Sequence, residues 1–382
     1  MSPLGVHLTL LIGPVVPVPA PAPLAEAVQS VEVTQSDEKR SGFQISFAVG
    51  RSMPWELLEY TALSSPLLRP FSRVILVVRF GVTPRVLMDG FITNIQLAPR
   101  NSPGTSLLTV TGEDVSVMMD MEEVIREHPA QDETIIANKL IASYTPKLGV
   151  VPTVIPPRFP DLPLPIERTP VQAKTDLKFL IAMAERHGYT FFVIPGPAPL
   201  ANIAYWGPPP RIPVKQPALT VNMGAATNVE SVDFAYNALA PTTVSGEVPV
   251  PMVGAMPVFT FAYTRIPPLA VMSPLPFQLP NVRETVLTDT KGMLYPHALA
   301  KAQAMTDKSI DQTVTASGEV DALRYGDLLS ARSVVGLRGA GLSFDGLYYV
   351  RSVTHTINRG SYRMKFALQR EGLGTTTPFV MA

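Results

Sequence analysis

The chain has 382 residues, with 31 basic and 31 acidic side chains and no cysteine, so it has no net pull toward nucleic acid or anionic lipid and no disulfide or thiolate chemistry. Charged residues make up 16% and hydrophobic ones 46%, against a charged fraction of ~25% in ordinary globular domains. Two explanations compete: a membrane protein, or an assembly whose outer faces are covered by partners. No window reaches the ~20 apolar residues of a membrane span. The best one, Leu8 to Val18, is broken by Gly13, Pro14 and Pro17, and with only His7 before it this run is also a poor signal peptide. Assembly is the better reading, and a chain beyond ~250 residues divides into more than one domain.

Val6 to Ile12 reads as a short strand, and the proline-rich Pro14 to Pro23 as an extended surface passage. Val28 to Thr34 and Phe43 to Val49 alternate apolar and polar residues around the polar turn Gln35 to Gly42, which makes a hairpin. Arg73 to Phe80, Arg85 to Leu97 (interrupted at Asp89-Gly90) and Leu107 to Thr111 are further strands. Short strands with turn signals at this spacing predict a closed or nearly closed barrel.

From Asp114 the pattern turns helical, first at Val115, Met118 and Met119. A second helix follows a cap at Asp132, with Ile135, Ile136, Lys139 and Leu140 as its stripe. Pro146 to Pro170 is dense in proline and predicts a stiff extended connector. Next comes the most strongly patterned stretch, Thr175 to Ile194. Leu177, Leu180, Ile181 and Ala184 give one buried helical face, Thr175 or Asp176 the cap, Gly188 the stop, and Tyr189 to Val193 a strand that folds back on the helix. Pro195 to Pro217 closes this middle region as a second proline-rich passage.

Val229 to Phe234 alternates again, and Val244 to Arg265 reads as strands joined by Gly and Pro turns before the proline-broken loop Pro267 to Pro280. His297 to Lys308 is the last helix, with Leu299, Ala302 and Met305 inward. The β-like runs Gln312 to Ala316, Asp327 to Val335, Gly346 to Ile357 and Tyr362 to Leu368 complete the chain.

The two ends echo each other. Asp89-Gly90 leads a strand that turns at Pro99 to Gly104 and returns to Gly112-Glu113; Asp345-Gly346 leads one that turns at Asn358 to Gly360 and returns to Arg370-Glu371. Asp-Gly is a common tight-turn pair, so any two hairpins can look alike at this level. The sharper reading makes Asp89, Gly90, Asp345 and Gly346 the turns of a repeated barrel, which would let one subunit occupy two equivalent places in a ring.

Catalytic patterns are weak. His7, His128, His187, His297 and His355 are scattered without metal-ligand spacing, and His187 suits a helix C-terminus. The acidic clusters Glu113-Asp114, Asp120-Glu122-Glu123 and Asp132-Glu133 each stand where a helix begins, which favours capping over a hydrolytic carboxylate pair. Gly336 to Gly346 lacks the Lys-Ser/Thr of a phosphate loop, and no Gly-x-Ser-x-Gly occurs. No catalytic residue, cofactor or metal is expected.

Several stretches together resemble the baseplate hub proteins of contractile injection machines. This group comprises the phage tail hub and late control protein D family and the hub part of type VI and extracellular injection-system spike proteins. The likeness rests on DLKFLIAMAERHGYTFFV within Thr175 to Val193, on Val86 to Asp114, on NVESVDFAYNALAP at Asn228 to Pro241, and on the closing FDGLYYVRSVTHTINRGSYRMKFALQREG. Val6 to Pro23 looks closest to the extracellular branch. No single motif is diagnostic; the order of the pieces carries the likeness.

The resemblance implies a mainly β fold with an α/β insertion: two tail-tube-like β-barrels per chain, and a homotrimer forming a pseudo-sixfold ring. The expected division is residues 1–118, 119–217 and 218–382. It also implies a non-enzymatic structural hub between a hexameric tail tube and a trimeric spike, in contact with other baseplate proteins, binding no nucleic acid and not inserting into membranes. Such a hub is assembled in the bacterial cytoplasm into a particle that can act outside the cell. Because the chain ends at Ala382, soon after Glu371, the spike is expected to be a separate protein. The rival readings are a tail-associated peptidoglycan hydrolase, using Asp120 or Glu123, and a carbohydrate-binding barrel.

Overall fold

A computed structural model describes residues 6–14, 16–50, 65–81, 83–100, 105–158, 160, 169–211, 216–250, 254–260, 267–272, 281–288, 290 and 293–376. The fold is mainly β. Its first part comprises β1 (Val6–Gly13), β2 (Val18–Pro19), α1 (Ala22–Ala27), β3 (Val28–Ser36), β4 (Gly42–Val49), β5 (Arg73–Phe80), β6 (Thr83–Ala98) and β7 (Ser106–Asp114). The strands expected here are present, and α1 begins inside the proline-rich passage because its prolines fall at the first helical positions, where no N–H is needed.

The middle part begins with a 3-10 turn, Val115–Met119. It continues through β8 (Glu123–Glu127), α2 (Glu133–Ser143), α3 (Thr145–Leu148), β9 (Val150–Val154), β10 (Val171–Thr175), α4 (Asp176–Arg186), β11 (Thr190–Pro195) and β12 (Asn202–Gly207). Both proline-rich passages hold strands that the expectation of bare connectors missed. β9 tolerates Pro152 because it is an edge strand of the order β11-β12-β9, and β12 lies in the proline-free gap Asn202–Gly207. α4 is capped by Thr175 and buries Leu177, Leu180, Met183 and Ala184. In α2 the buried stripe is Ile136, Ala137, Leu140 and Ile141, one step round from the expected face, and Ile135 is half exposed. These residues form a separate core around Trp206.

The last part comprises β13 (Leu219–Thr220), β14 (Val229–Tyr236), β15 (Thr242–Val250), β16 (Gly254–Phe259), β17 (Arg283–Val286), α5 (Tyr295–Asp311), β18 (Val314–Asp321), α6 (Ala322–Tyr325), β19 (Val334–Arg338), β20 (Gly346–Asn358) and β21 (Ser361–Arg370). α5 turns Ala298, Ala302, Thr306 and Ile310 inward and leaves Met305 outside. The strand expected at Asp327 to Val335 begins only at Val334, and parts of the loops at 101–104 and 267–280 lie outside the described residues.

Thirteen strands join into one sheet with the main order β14-β18-β21-β20-β3-β4-β7-β6-β5-β1-β2, while β19 branches from β20 and carries β13. This is two runs of one design over five strands, β3-β4-β7-β6-β5 and β14-β18-β21-β20-β19, and the registers match pair by pair; the sixth strand differs, since β1 joins β5 antiparallel and β13 joins β19 parallel. Val31 faces Ile45, Ile45 faces Val110 and Val110 faces Ile95; Val232 faces Gly318, Gly318 faces Phe366 and Phe366 faces Val353. Bulges recur at corresponding places, between Val28 and Ser30 and between Val229 and Ser231, and again at Ile92/Asn94 and Val350/Ser352.

The two runs are not separate closed barrels. Among the described residues neither sheet end closes on itself, and β20 continues the second run into β3 of the first, from Ser352 opposite Ser36 to Asn358 opposite Ser30. One apolar core accordingly spans both runs, from Ile12 and Val33 to Tyr348 and Leu368.

Candidate functional site

The Asp-Gly pairs, expected as turns, occupy two different environments. Asp89 and Gly90 lie inside β6, and the chain runs straight through them. Gly90 stands where β6 crosses β7 so closely that a Cβ would sit 2.1 Å from the Glu113 carbonyl oxygen, which is why no larger residue fits. Asp345 closes the 340–345 turn, where its carboxylate accepts from the Ala340 amide at 2.8 Å, and Gly346 opens β20 at φ +130. In the paired register Gly90 corresponds to Tyr348, because each faces the matching Val74 or Val335. The Asp-Gly pairs are thus two residues out of step within a repeat that is otherwise continuous.

Asp89 is instead the centre of a buried clamp. Arg73 on β5 faces it with Nε at 2.7 Å and Nη2 at 2.8 Å, and both side chains are almost wholly enclosed. The Asn202 amide donates to Asp89 at 3.0 Å, and Arg73 and Asn202 both donate to the Leu148 carbonyl, at 2.9 and 3.2 Å. That carbonyl lies at the end of α3, where Gly149 (φ +66) turns the chain against Leu200. Sheet and insertion are therefore joined by a bidentate ion pair whose remaining valences are taken up by the insertion itself.

Arg332 makes a second buried junction. From the last part of the chain it donates to the carbonyls of Ser36 (2.5 Å) and Lys39 (3.2 Å) in the β3–β4 turn, and it lies over the Phe192 ring of the insertion at 4.6 Å. Burial lowers its pKa and raises that of Asp114, which receives the Ser41 and Ser116 amides at 2.9 Å each. Arg211 forms a third, paired with Asp311 and with Glu371 (3.1 Å), and Glu371 also accepts from Ala270 at 2.9 Å.

The acidic clusters are engaged locally. Asp114 caps the 3-10 turn, Asp132 caps α2 through the Ile135 amide at 2.7 Å, and Asp120 accepts from Thr175 at 2.7 Å with Arg40 at 3.4 Å. Glu133 is buried between Arg186 (3.0 Å) and His187, so His187 has a carboxylate partner as well as its place at the end of α4. That pairing crosses 54 residues of sequence, and no local spacing announces it. His128 bonds Gln172 and stacks on Phe179. His355 meets the Tyr362 hydroxyl at 2.9 Å, and burial lowers its pKa to about 3. His7 is on β1, and His297 packs against His187. Among the described residues no three acidic or histidine side chains gather as a metal site.

An open groove of about 490 Å³ runs between α4 and α5, lined by Ile181, Met305, Lys301, Lys308, Asp37 and Glu38. Asp37 is pushed up to about 6, chiefly by burial and against the pull of Arg351; Glu38 is lowered by its hydrogen bond to Arg351. The groove offers mixed charge and apolar walls. Among the described residues of the chain, no helix is long and apolar enough to cross a membrane.

No family profile matches the chain, and no curated protein does. Solved structures do. The 43 kDa tail protein of prophage MuSo2 from Shewanella oneidensis is 12% identical, with TM-score 0.66 over 96% of this chain and 99% of that one. The chain has a phage tail-protein fold. A tail protein from Neisseria meningitidis MC58 is similar over 97% of this chain and 98% of its own, at 13% identity and TM-score 0.62. A component of the E. coli type VI secretion system, itself described as structurally similar to T4 tail proteins gp27 and gp5, matches at 10% identity and TM-score 0.52, over 93% of this chain and 77% of that one. The tail-protein fold expected from the order of the sequence pieces is thus present over nearly the full length.

Proposed function

We propose that the chain is a structural, non-enzymatic baseplate hub. Three copies form a ring of six tube-like halves, joining a hexameric tail tube to a trimeric spike and contacting further baseplate proteins. The observation that carries this reading is the strand-for-strand repeat, because a subunit with two equivalent halves can present sixfold character on a threefold axis. The fold shared with tail proteins supports it, as does the engagement of Asp114, Asp120, Asp132 and Glu133 in caps and ion pairs. In this reading the particle is assembled in the bacterial cytoplasm, and the hub neither binds nucleic acid nor enters a membrane.

Light scattering with negative-stain imaging tests the reading. A species of three subunits, seen end-on with six lobes, is the expected result. A protein that stays monomeric at high concentration and binds neither tube nor spike protein refutes it, and turnover of peptidoglycan by the purified wild type would refute the non-enzymatic part.

A further inference from the structure

Two side chains whose helical spacing predicts burial stand instead on the groove between α4 and α5. Ile181 belongs to the apolar stripe of α4 and Met305 to that of α5, yet they are 36% and 39% exposed, and both line the groove of about 490 Å³. Ala184 and Phe191 extend its apolar wall. A volume of this size is ordinary for a small-ligand site.

The floor carries two acceptors that lack donors. Gln369 on β21 is 8% exposed and stands opposite Tyr349 of β20. Asp37 follows β3, and its amide donates at 3.0 Å to the carbonyl of Arg351, two residues beyond Tyr349. Gln369 Oε1 and Asp37 Oδ1 are enclosed, and neither has a hydrogen-bond partner among the described residues. Enclosed acceptors are rarely left open in this way.

The cations nearby are engaged elsewhere. Arg351 reaches Glu38 with Nη2 at 2.8 Å, while its Nε stays 3.9 Å from Asp37 Oδ1. Lys308 of α5 lies 3.8 Å from Glu38, and Arg332 donates to the Ser36 and Lys39 carbonyls. Burial outweighs the pull of these three cations on Asp37, Glu38 adds its repulsion, and the Asp37 carboxyl is pushed up to about 6. A carboxylate in this state gains from any donor that reaches it, and most from a charged one.

We infer that the groove receives a lysine side chain from a partner protein: its methylene stem lies between Ile181 and Met305, and its ammonium donates to Asp37 Oδ1 and Gln369 Oε1. An unbranched apolar stem ending in a compact cluster of donors matches apolar walls over an acceptor floor. Arginine would bring a planar fork of five donors, more than two open acceptors can take. Because the groove is open, the backbone that carries the lysine can stay outside it. A free diamine fits less well, since its second ammonium would meet walls that already hold Lys301 and Lys308. The inference is independent of the ring proposed above.

The probe is N-acetyl-lysine methylamide, titrated into the full chain and followed by methyl NMR at Ile181 and Met305. Both signals should move saturably. The norleucine analogue, which has an apolar stem and no ammonium, should bind about tenfold more weakly, as should the lysine probe to Asp37→Asn or Gln369→Leu. Asp37→Asn removes a charge that burial disfavours, so its loss of binding is not a loss of fold. In the wild type, affinity should fall about tenfold from pH 7 to pH 5, because Asp37 protonates near 6 while Glu38, with its lowered pKa, stays ionised. Equal affinity for the norleucine analogue, unchanged affinity in Asp37→Asn, or no saturable shift overturns the inference. Tighter binding of cadaverine than of the capped lysine would also overturn it, by assigning the groove to a free diamine.

Discussion

Replacing Asp89 by Asn tests whether the sheet and the insertion are held by the Arg73 clamp. The substitution preserves shape but leaves the guanidinium, 6% exposed, without its counter-charge. Breaking one side of such a buried pair costs about 3–5 kcal/mol, because the surviving charge stays desolvated. Arg73→Met should cost a similar amount, since Asp89 would keep only the Asn202 amide. The double variant Arg73→Met/Asp89→Leu removes both charges and should lose far less, about 1–2 kcal/mol. The residual loss comes from the Leu148 carbonyl, which gives up one of its two side-chain donors.

The cycle is read by urea unfolding, with amide exchange at Asn202 as the local probe, because its N–H donates to the Gly149 carbonyl at 2.8 Å within the insertion, directly beside the clamp. A local loss of 3 kcal/mol speeds that exchange by about two orders of magnitude. Single variants within 0.5 kcal/mol of wild type, or a double variant that costs the sum of the singles, would refute the clamp.

Three further predictions follow from local geometry. Gly90→Ala should destabilise by about 3 kcal/mol or more in thermal unfolding, because the added carbon meets the Glu113 backbone and neither strand can give way. Asp37→Asn should stabilise the protein at pH 8 by about 1–3 kcal/mol. Asp37 ionises near 6 in the fold against 3.8 for the free group, so its cost to stability grows as pH rises from 3.8 to 6 and is constant above; a gain that persists at pH 3.5 would contradict this. His355 has the opposite sign. With a folded pKa near 3 against 6.5, it drains stability as pH falls below 6.5, and in urea melts His355→Leu with Tyr362→Phe should flatten the decline between pH 6.5 and 4 relative to wild type.

The strands and helices with strong periodicity were legible, and so was the existence of an internal repeat. Its register was not, because Asp-Gly drew attention at two non-equivalent points. A better signal lies in the leading strands: Val28-Gln29-Ser30-Val31-Glu32-Val33 and Val229-Glu230-Ser231-Val232-Asp233-Phe234 share apolar and acidic positions and carry bulges at the same step. Proline density hid β9 and β12, since composition cannot distinguish an edge strand that tolerates Pro152 from a bare connector. The clamps were invisible because their partners lie far apart in sequence: Asp89 and Asn202 by 113 residues, Arg332 and Ser36 by 296. Nothing local marks a charge that is to be buried.

Those buried charges also change what the composition implies. Arg73, Asp89, Asp114, Glu133, Arg211, Asp311, Arg332, Arg370 and Glu371 are all inside, so a chain already low in charge has even less of it to present to water. At the same time Ile125, Leu239, Val286 and Leu342 are more than two-thirds exposed. Single apolar residues on a surface need no explanation, but a surface short of charge whose sheet also ends in open strand edges has little to keep copies apart.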